Sequence, residues 1–494
     1  MVPALIARAE AWPERVAVVE CGGSTSYARL LAASATAGRR LLDGRPDLGG
    51  ARVAFLLPPG ADHVVAQWAI WRSGGVAVPL SSRQVPAEWE YVVGDTGAET
   101  IVAGGEAEDA LRSIGVARGA RFVPAAALTE PRPDVPLPDV LASRDAMILY
   151  TSGTTGRPKG VVTTHANIEA QVRALVEAWG WSPDDRVLHV LPMNHVHGIV
   201  NLLACALWSG AACEFRPFRP VETWDRLEAG GVTVFMAVPT IYAKLLAAWD
   251  GSTPEVRRAW SRGAARLRLM VSGSAALPVT VLERWQAATG HVLLERYGMT
   301  EFGMALSNPL HGERRAGTVG VPLPGVEVRL VDERGARVRD GEPGEIEVRG
   351  PGVFRGYWHR DEETRASFRD GWFRTGDVAT VDRGYYRILG RRSVDIIKTG
   401  GFKVSALEIE DVLRGCPAVR ECAVVGVPDE EWGERVAVAV EPGAGDEVTL
   451  DELRAWAADR LASYKLPTRL VCLRALPRNA MGKVLKTRVK ALFG

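Results

Sequence analysis

Apolar runs as long as a buried strand alternate with helix-length segments between residues 28 and 80, and this alternation constrains the fold more than any other feature. Ser26 is placed to cap a helix over 28–42, because a serine oxygen at a helix start accepts an otherwise free backbone N–H. Residues 51–57 read as a buried strand, 63–73 as a helix and 75–80 as a second strand. Strands separated by helices are joined by crossovers, so the pattern predicts βαβ units and a mostly parallel sheet. A chain of 494 residues exceeds what one hydrophobic core serves, so two or more domains are expected.

Further along, residues 123–139 are rich in proline and alanine and read as a surface linker. A helix is expected near 167–179 and a strand over 187–191. Pro192-Met193-Asn194-His195-Val196-His197-Gly198 then opens an apolar helix. Two histidines at i and i+2 do not share a helix face, which speaks against a metal site there. Strands are expected over 232–238 and 267–272, with ligand contacts beyond their carboxyl ends. Between 317 and 350 short strands and tight turns suggest a small β subdomain. The last hundred or so residues read as a separate α+β unit: a helix near 406–414, strands over 419–425 and 435–440, and a helix over 450–461. The boundary falls at 390–395, giving domains 1–390 and 391–494. The expected class is α/β with an α+β C-terminal domain, built as a large N-terminal domain of stacked βα sheets and a small mobile C-terminal one.

Lys and Arg total 60 against 59 Asp and Glu, a balance that gives no support for nucleic-acid binding or a polybasic membrane anchor. No apolar run is long enough to span a membrane. The six cysteines lack C-x-x-C spacing, which argues against a zinc site or a disulfide framework and fits a reducing compartment. Charges at Arg8, Glu10, Glu14 and Arg15 break any signal-peptide core. A cytoplasmic protein is expected, as monomer or homodimer.

Five stretches carry chemistry. Tyr150-Thr151-Ser152-Gly153-Thr154-Thr155-Gly156-Arg157-Pro158-Lys159-Gly160 combines glycines, hydroxyls and a cation, which suits a nucleotide's phosphates. It is not a Walker loop, because Gly160 follows Lys159 where Ser or Thr would stand. Leu294-Glu295-Arg296-Tyr297-Gly298-Met299-Thr300-Glu301 sets a hydroxyl beside a carboxylate, suited to phosphate and magnesium, with Tyr297 offering a flat face for a base. Trp372-Phe373-Arg374-Thr375-Gly376-Asp377 puts a carboxylate after a tight turn, the role of acidic residues at ribose hydroxyls. Gly390-Arg391-Arg392-Ser393-Val394-Asp395, with Lys398-Thr399-Gly400-Gly401 beyond, is the fourth. Pro477-Arg478-Asn479-Ala480-Met481-Gly482-Lys483 is the last. Singly, most of these are ordinary turns.

Together, and in this order over nearly the whole chain, they resemble the signatures of the adenylate-forming enzymes: acyl-CoA synthetases, luciferases and peptide-synthetase adenylation domains. The resemblance implies that residues 151–159 wrap the triphosphate of ATP, with Thr151, Ser152, Gly153, Thr154, Thr155, Gly156 and Lys159 contributing. Gly273, Ser274, Ala275 and Tyr297, flanked by Glu295 and Gly298, would hold the adenine. Thr300 would touch phosphate, Glu301 hold Mg²⁺, and Asp377 and Arg391 bind the ribose. Lys483 would bridge carboxylate and α-phosphate during adenylation. A rotation near residues 391–395 would then withdraw it and open a path for a thiol beside Gly400, Gly401 and Phe402. The position of Lys483 in a glycine turn also makes it a target for an acetyltransferase, since neutralising it would remove the needed cation.

Peptide-synthetase domains place an aspartate after the histidine motif to hold an amino group; His197 to Leu203 contains no acid here, which argues against an amino-acid substrate. No carrier domain follows Gly494, so coenzyme A is the expected acceptor. Three details resemble the malonyl-CoA synthetase branch: the His195-Val196-His197-Gly198 motif, the stretch Met270 to Pro278, and Glu295 to Glu301 followed by Arg315-Ala316-Gly317-Thr318-Val319-Gly320. A dicarboxylate brings a second charge into an acyl pocket, and a buried charge needs a partner. Arg296 is placed to meet it with its fork, with His195, His197 and Met299 around the acid. Lys244 stands where the branch supplies a second cation; it reads equally well as an exposed helix lysine. The expected activity is ATP-dependent malonate or methylmalonate–CoA ligation through an acyl-adenylate. A ligase for monocarboxylates or aryl acids is the alternative, and a non-catalytic nucleotide-binding protein is the reading from another class.

Overall fold

The computed structural model describes residues 2–131, 133, 135–151, 158–400, 402–443, 448–478 and 482–494. Over these residues the chain forms two large sheets, a small β subdomain and a C-terminal α+β unit. The predicted βαβ unit is present: strands Arg52–Leu56 and Val76–Pro79 pair in parallel, with helix Ala61–Arg72 between them. They lie in a seven-stranded sheet that also holds Asp145–Thr151 and Lys159–Thr164. The second sheet has nine strands, among them Arg186–His189, Val234–Ala237, Leu269–Ser272 and Leu294–Met299 in parallel register. One apolar core, with Trp68, Trp71 and Trp179 fully buried, runs between the sheets. Helix Tyr27–Leu42 starts as the sequence implies, with Ser26 accepting from the N–H of Arg29.

On the outer face of the nine-stranded sheet, Trp224 stacks between Trp260 and Trp285, and Tyr242 meets Trp285 edge-on. Tyr242 donates its hydroxyl to the carbonyl of Val271 at 2.9 Å, which fixes helix Pro239–Asp250 against strand Leu269–Ser272. Such aromatic packing contributes more than its area alone, about 1 kcal/mol per pair.

One local expectation is corrected, and one expected helix takes an unusual form. The start of the 123–139 linker is ordered: Arg121–Pro124 is an edge strand paired in parallel with Thr100–Ala103. Proline is tolerated there because an edge strand leaves one row of N–H groups unused. The apolar helix after His195 is π-helical over His197–Ala204 before becoming α-helical at Cys205–Trp208. Gly198 sits so close to Pro192 that a Cβ would meet that carbonyl oxygen at 2.3 Å. Widened turns of this kind recur at functional sites.

Strand Tyr385–Arg391 ends in the β subdomain sheet, and Ile396–Thr399 begins the C-terminal sheet after four intervening residues. The C-terminal unit has its own core around Ile409, Leu413, Val424 and Val438. It docks through Lys403 to Glu333 at 2.8 Å and through Asp411, which accepts the N–H of Val279 at 3.4 Å. No helix among the described residues is long and apolar enough to cross a membrane.

Candidate active site

The Thr300-Glu301 pair lies in the turn of an antiparallel hairpin, Leu294–Met299 with Gly303–Ser307. The hairpin is tight: a Cβ on Gly298 would meet the carbonyl oxygen of Gly303 at 1.9 Å, and Gly303 has φ +67°. That turn buries the Glu301 carboxylate, where it accepts the Tyr357 hydroxyl at 2.9 Å. Burial raises its pKa, an effect partly offset by the hydrogen bond from Tyr357. The Lys159 ammonium lies 5.1 Å from the centre of the Tyr357 ring and pairs with Glu363. One carboxylate and one lysine thus face each other across Tyr357.

This arrangement fits a magnesium ion held largely by phosphate oxygens. Glu301 is desolvated, accepts the Tyr357 hydroxyl and has no ion pair recorded to it among the described residues. No three His, Cys, Asp or Glu side chains converge on a metal position in that set. Magnesium commonly binds through one or two carboxylates plus substrate phosphate and water. Thr151 ends its strand beside Lys159; Ser152, Gly153, Thr154, Thr155 and Gly156 lie outside the described residues.

A second cluster joins the three later motifs. Tyr297 donates its hydroxyl to Asp377 Oδ2 at 2.6 Å, and Arg391 Nε reaches Asp377 Oδ1 at 3.0 Å. Arg391 also approaches the Met299 sulfur at 3.8 Å. Asp377 is held by its own N–H, which donates to Thr375 Oγ1 at 3.0 Å, after Gly376 with φ +73°. Its carboxylate is therefore engaged by protein groups at both oxygens, each keeping a lone pair for a ribose hydroxyl. Lys483 from the C-terminal unit joins this cluster. Burial lowers its pKa and the Arg391 charge lowers it further, while Asp395 and Asp377 work the other way.

The third cluster is the pocket floor. Arg296 is buried, and Gly273 forms its cradle: a Cβ there would stand 2.5 Å from the guanidinium carbon. Arg296 donates to Ser274 Oγ at 3.5 Å, and the same oxygen lies 3.2 Å from His197 Nδ1. Ser274 adopts φ +70°, costly for a residue other than glycine. Arg296 Nε and His197 Nε2 are buried without a hydrogen-bond partner, and no carboxylate pairs with the guanidinium among the described residues. Burial pulls the Arg296 pKa down to about 9, which still leaves it charged at neutral pH. Burial, with the Arg296 charge next, keeps His197 neutral, and burial lowers His195 to about 4. A buried cation beside neutral donors is built to receive an anion.

Other expected residues lie apart from these clusters. Glu295 points to the opposite face of its strand, where Oε1 accepts the N–H of Leu277 at 3.2 Å and Oε2 has no partner. Ala275 is exposed in the same loop as Ser274. Lys244 is exposed on helix Pro239–Asp250, and none of the described hydrogen bonds or ion pairs brings it to Arg296. Gly400 turns with φ +53° against Trp432. Phe402, 50% exposed, stacks on Tyr464 at 4.1 Å; Gly401 lies outside the described residues. Tyr357 and Glu363 had no motif to mark them: Tyr357 reaches the site because Gly356–Tyr357 pairs with Val161 and Val162.

Glu295 has a pH consequence. Burial, with Asp411 adding, raises its pKa from 4.5 to about 8. A carboxyl raised in the folded state binds its proton there but not in the unfolded chain between those values, so its contribution to stability falls as pH rises through this window. Glu295→Gln is expected to melt with the wild type near pH 5 and above it at pH 8.5, by about 1 kcal/mol or more. Equal melting temperatures at pH 8.5 would contradict a neutral Glu295.

The model of the AMP-binding enzyme family matches residues 5–358, and that of the AMP-binding enzyme C-terminal domain matches 408–483. The mitochondrial malonate–CoA ligase ACSF3 of Homo sapiens is 46% identical over 519 residues, covering 97% of this chain and 90% of that protein. The crystal structure of ATP-bound MatB from Rhodopseudomonas palustris is 36% identical, covers 100% of this chain and 99% of its own, and superposes with a TM-score of 0.91. Apo MatB from the same organism, at the same identity and coverage, gives 0.81.

Proposed function

The chain belongs to the AMP-binding enzyme family, and from that premise we propose that it is an ATP-dependent malonate–CoA ligase working through an acyl-adenylate. The observation that carries the choice of acid is the buried Arg296 guanidinium, which has no carboxylate partner among the described residues and shares Ser274 with His197. Malonate or methylmalonate brings the missing charge. A monocarboxylate would leave the cation unpaired, and an uncompensated buried charge costs several kcal/mol.

In the first half-reaction a carboxylate oxygen of the acid attacks the α-phosphorus of ATP, and the bond to pyrophosphate breaks. Little covalent help is needed; alignment and charge neutralisation do the work. Arg296, with His197 and Ser274, binds the distal carboxylate and so orients the reacting one. Tyr297, Asp377 and Arg391 hold the nucleoside. Lys483 places positive charge at the reacting oxygens, and Lys159 offsets the charge of the departing pyrophosphate. Magnesium bound at Glu301 supplies charge neutralisation at the phosphates. In the second half-reaction the thiol of coenzyme A loses its proton, its sulfur attacks the acyl carbon, and AMP leaves. Gly400, Gly401 and Phe402 line our proposed thiol path once the C-terminal domain, residues 391–494, has turned. The six cysteines are unpaired, and we place the protein in the reducing cytoplasm.

The test is a panel of acids read by pyrophosphate release. Malonate is expected to exceed propionate and benzoate in kcat/KM by about a hundredfold or more. Propionate or an aryl acid equal to malonate would favour the monocarboxylate reading instead.

A further inference from the structure

We propose that Lys486 is a positioning residue for adenylation, which registers the Lys483 loop on the hinge through an ion pair with Asp395. The inference rests on the adenylate-forming reading above but not on which acid is used.

The Lys483 loop is closed at its neck. Leu485 donates its N–H to the carbonyl of Pro477 at 2.7 Å, Arg478 bridges to Val484, and Arg478 Nη1 donates to the carbonyl of Gly482 at 2.8 Å. Lys483 stands just beyond this neck and Lys486 at the base, where helix Lys486–Lys490 begins. The Lys486 ammonium is nearly buried and lies 2.6 Å from Asp395 Oδ1 and 2.6 Å from Glu410 Oε1. These two partners differ in kind.

Glu410 belongs to helix Ala406–Arg414 of the same unit as Lys486, where it also accepts the N–H of Val424 and pairs with Arg414. It keeps its place whatever that unit does. Asp395 straddles the junction. Its Oδ2 accepts the N–H of Arg391, the last residue of strand Tyr385–Arg391, and its carbonyl accepts the N–H of Ala406 from the C-terminal unit. A Cβ on Gly390 would meet the Asp395 Cβ at 2.3 Å, so the junction closes only because residue 390 is glycine. Lys486 therefore has one partner that travels with it and one set by the conformation of residues 391–395. Arg391, tied to Asp395 through its N–H, is the residue whose side chain holds Asp377. A continuous chain thus runs from Asp377 through Arg391 and Asp395 to Lys486 and the loop that carries Lys483.

Breaking the Asp395 link should slow the half-reaction that needs Lys483 and spare the one that does not. Asp395→Asn is the cleaner variant, because Lys486 keeps Glu410 and the interior stays paired. Expected is a fall of about tenfold to a hundredfold in kcat for ATP–pyrophosphate exchange, the size of effect that an ångström of misplacement produces. KM for ATP and the acid should change little, as should the rate of thioester formation from preformed acyl-adenylate and coenzyme A. Lys486→Met should show the same split, Lys486→Arg should recover most of the exchange, and Asp395→Asn combined with Lys486→Met should be no worse than Lys486→Met alone. Thermal melting confirms that each variant is folded, and Asp395→Asn carries the test by itself if Lys486→Met is not. Exchange at the wild-type rate in folded Asp395→Asn, or a parallel fall of both half-reactions, overturns the proposal. Exchange is measured with whichever acid the wild type accepts, so a wrong choice of acid leaves this test intact. A wild type that exchanges with no acid would overturn the adenylation reading itself.

Discussion

With Lys483 replaced by alanine, malonate-dependent ATP–pyrophosphate exchange is expected to fall by about a hundredfold to a thousandfold, the usual cost of removing one aligned charge or donor from a reacting oxygen. Thioester formation from preformed malonyl-adenylate and coenzyme A should stay within a few-fold of wild type. The contrast follows from placement. Lys483 comes from the C-terminal unit and feels the charges of Arg391, Asp395 and Asp377, the residues we propose hold the nucleoside being among them. Lys483 belongs to neither apolar core of the C-terminal unit, so its truncation should leave the fold intact. Acetylation of Lys483 removes the same charge and should reproduce the pattern, in line with our assignment of this lysine as an acetyltransferase target. Both half-reactions lost together would make Lys483 structural.

Arg296→Ala should lower kcat/KM for malonate by about a hundredfold or more, because the acid's distal carboxylate would be desolvated without a partner. KM for ATP should hardly move. Propionate has no distal charge and should lose far less, and it stands to gain where the guanidinium previously lay unpaired. The decisive quantity is the ratio of kcat/KM for malonate over propionate in the two proteins, since general damage to the pocket cancels in it. An unchanged ratio would remove the physical basis for a dicarboxylate substrate. Lys244→Ala is a built-in control: the exposed position of Lys244 leads us to expect a ratio near that of wild type.

The architecture was largely legible because it is written in periodicity. Strands such as 51–57 are bounded by glycine and proline, and helices such as 28–42 carry a capping serine, so their existence follows from local chemistry. The misreadings occur where a tertiary contact outweighs a local signal. Pro124 reads locally as a linker residue, although edge pairing with Thr100–Ala103 tolerates it. Gly198 is set by the Pro192 carbonyl, which no window of sequence reveals as a π-helical turn. The motifs named the residues of the clusters but not their partners. Nothing in the chain before Tyr357 announces that its hydroxyl meets Glu301, because that contact depends on a two-residue strand laid against Val161 and Val162. No motif of the sequence includes Lys486. Its importance lies in Asp395 and Glu410, which are 91 and 76 positions away in the chain.

The cradle beneath Arg296 also restricts how descendants of this protein can diverge. While the arginine is present, a methyl group on Gly273 would stand 2.5 Å from the guanidinium carbon, so the guanidinium would have to move from its present place to admit it. Once the arginine is replaced by something shorter, the space it leaves admits a larger residue at 273, and a later return of arginine would then meet an occupied floor. The left-handed Ser274 narrows the routes further, because β-branched replacements are poorly tolerated at that φ. On our proposal that Arg296 meets the distal carboxylate, a lineage that abandons dicarboxylates is expected to change position 296 first, and each accommodation that follows makes reversal harder. In this pocket, geometry gives evolutionary history a direction.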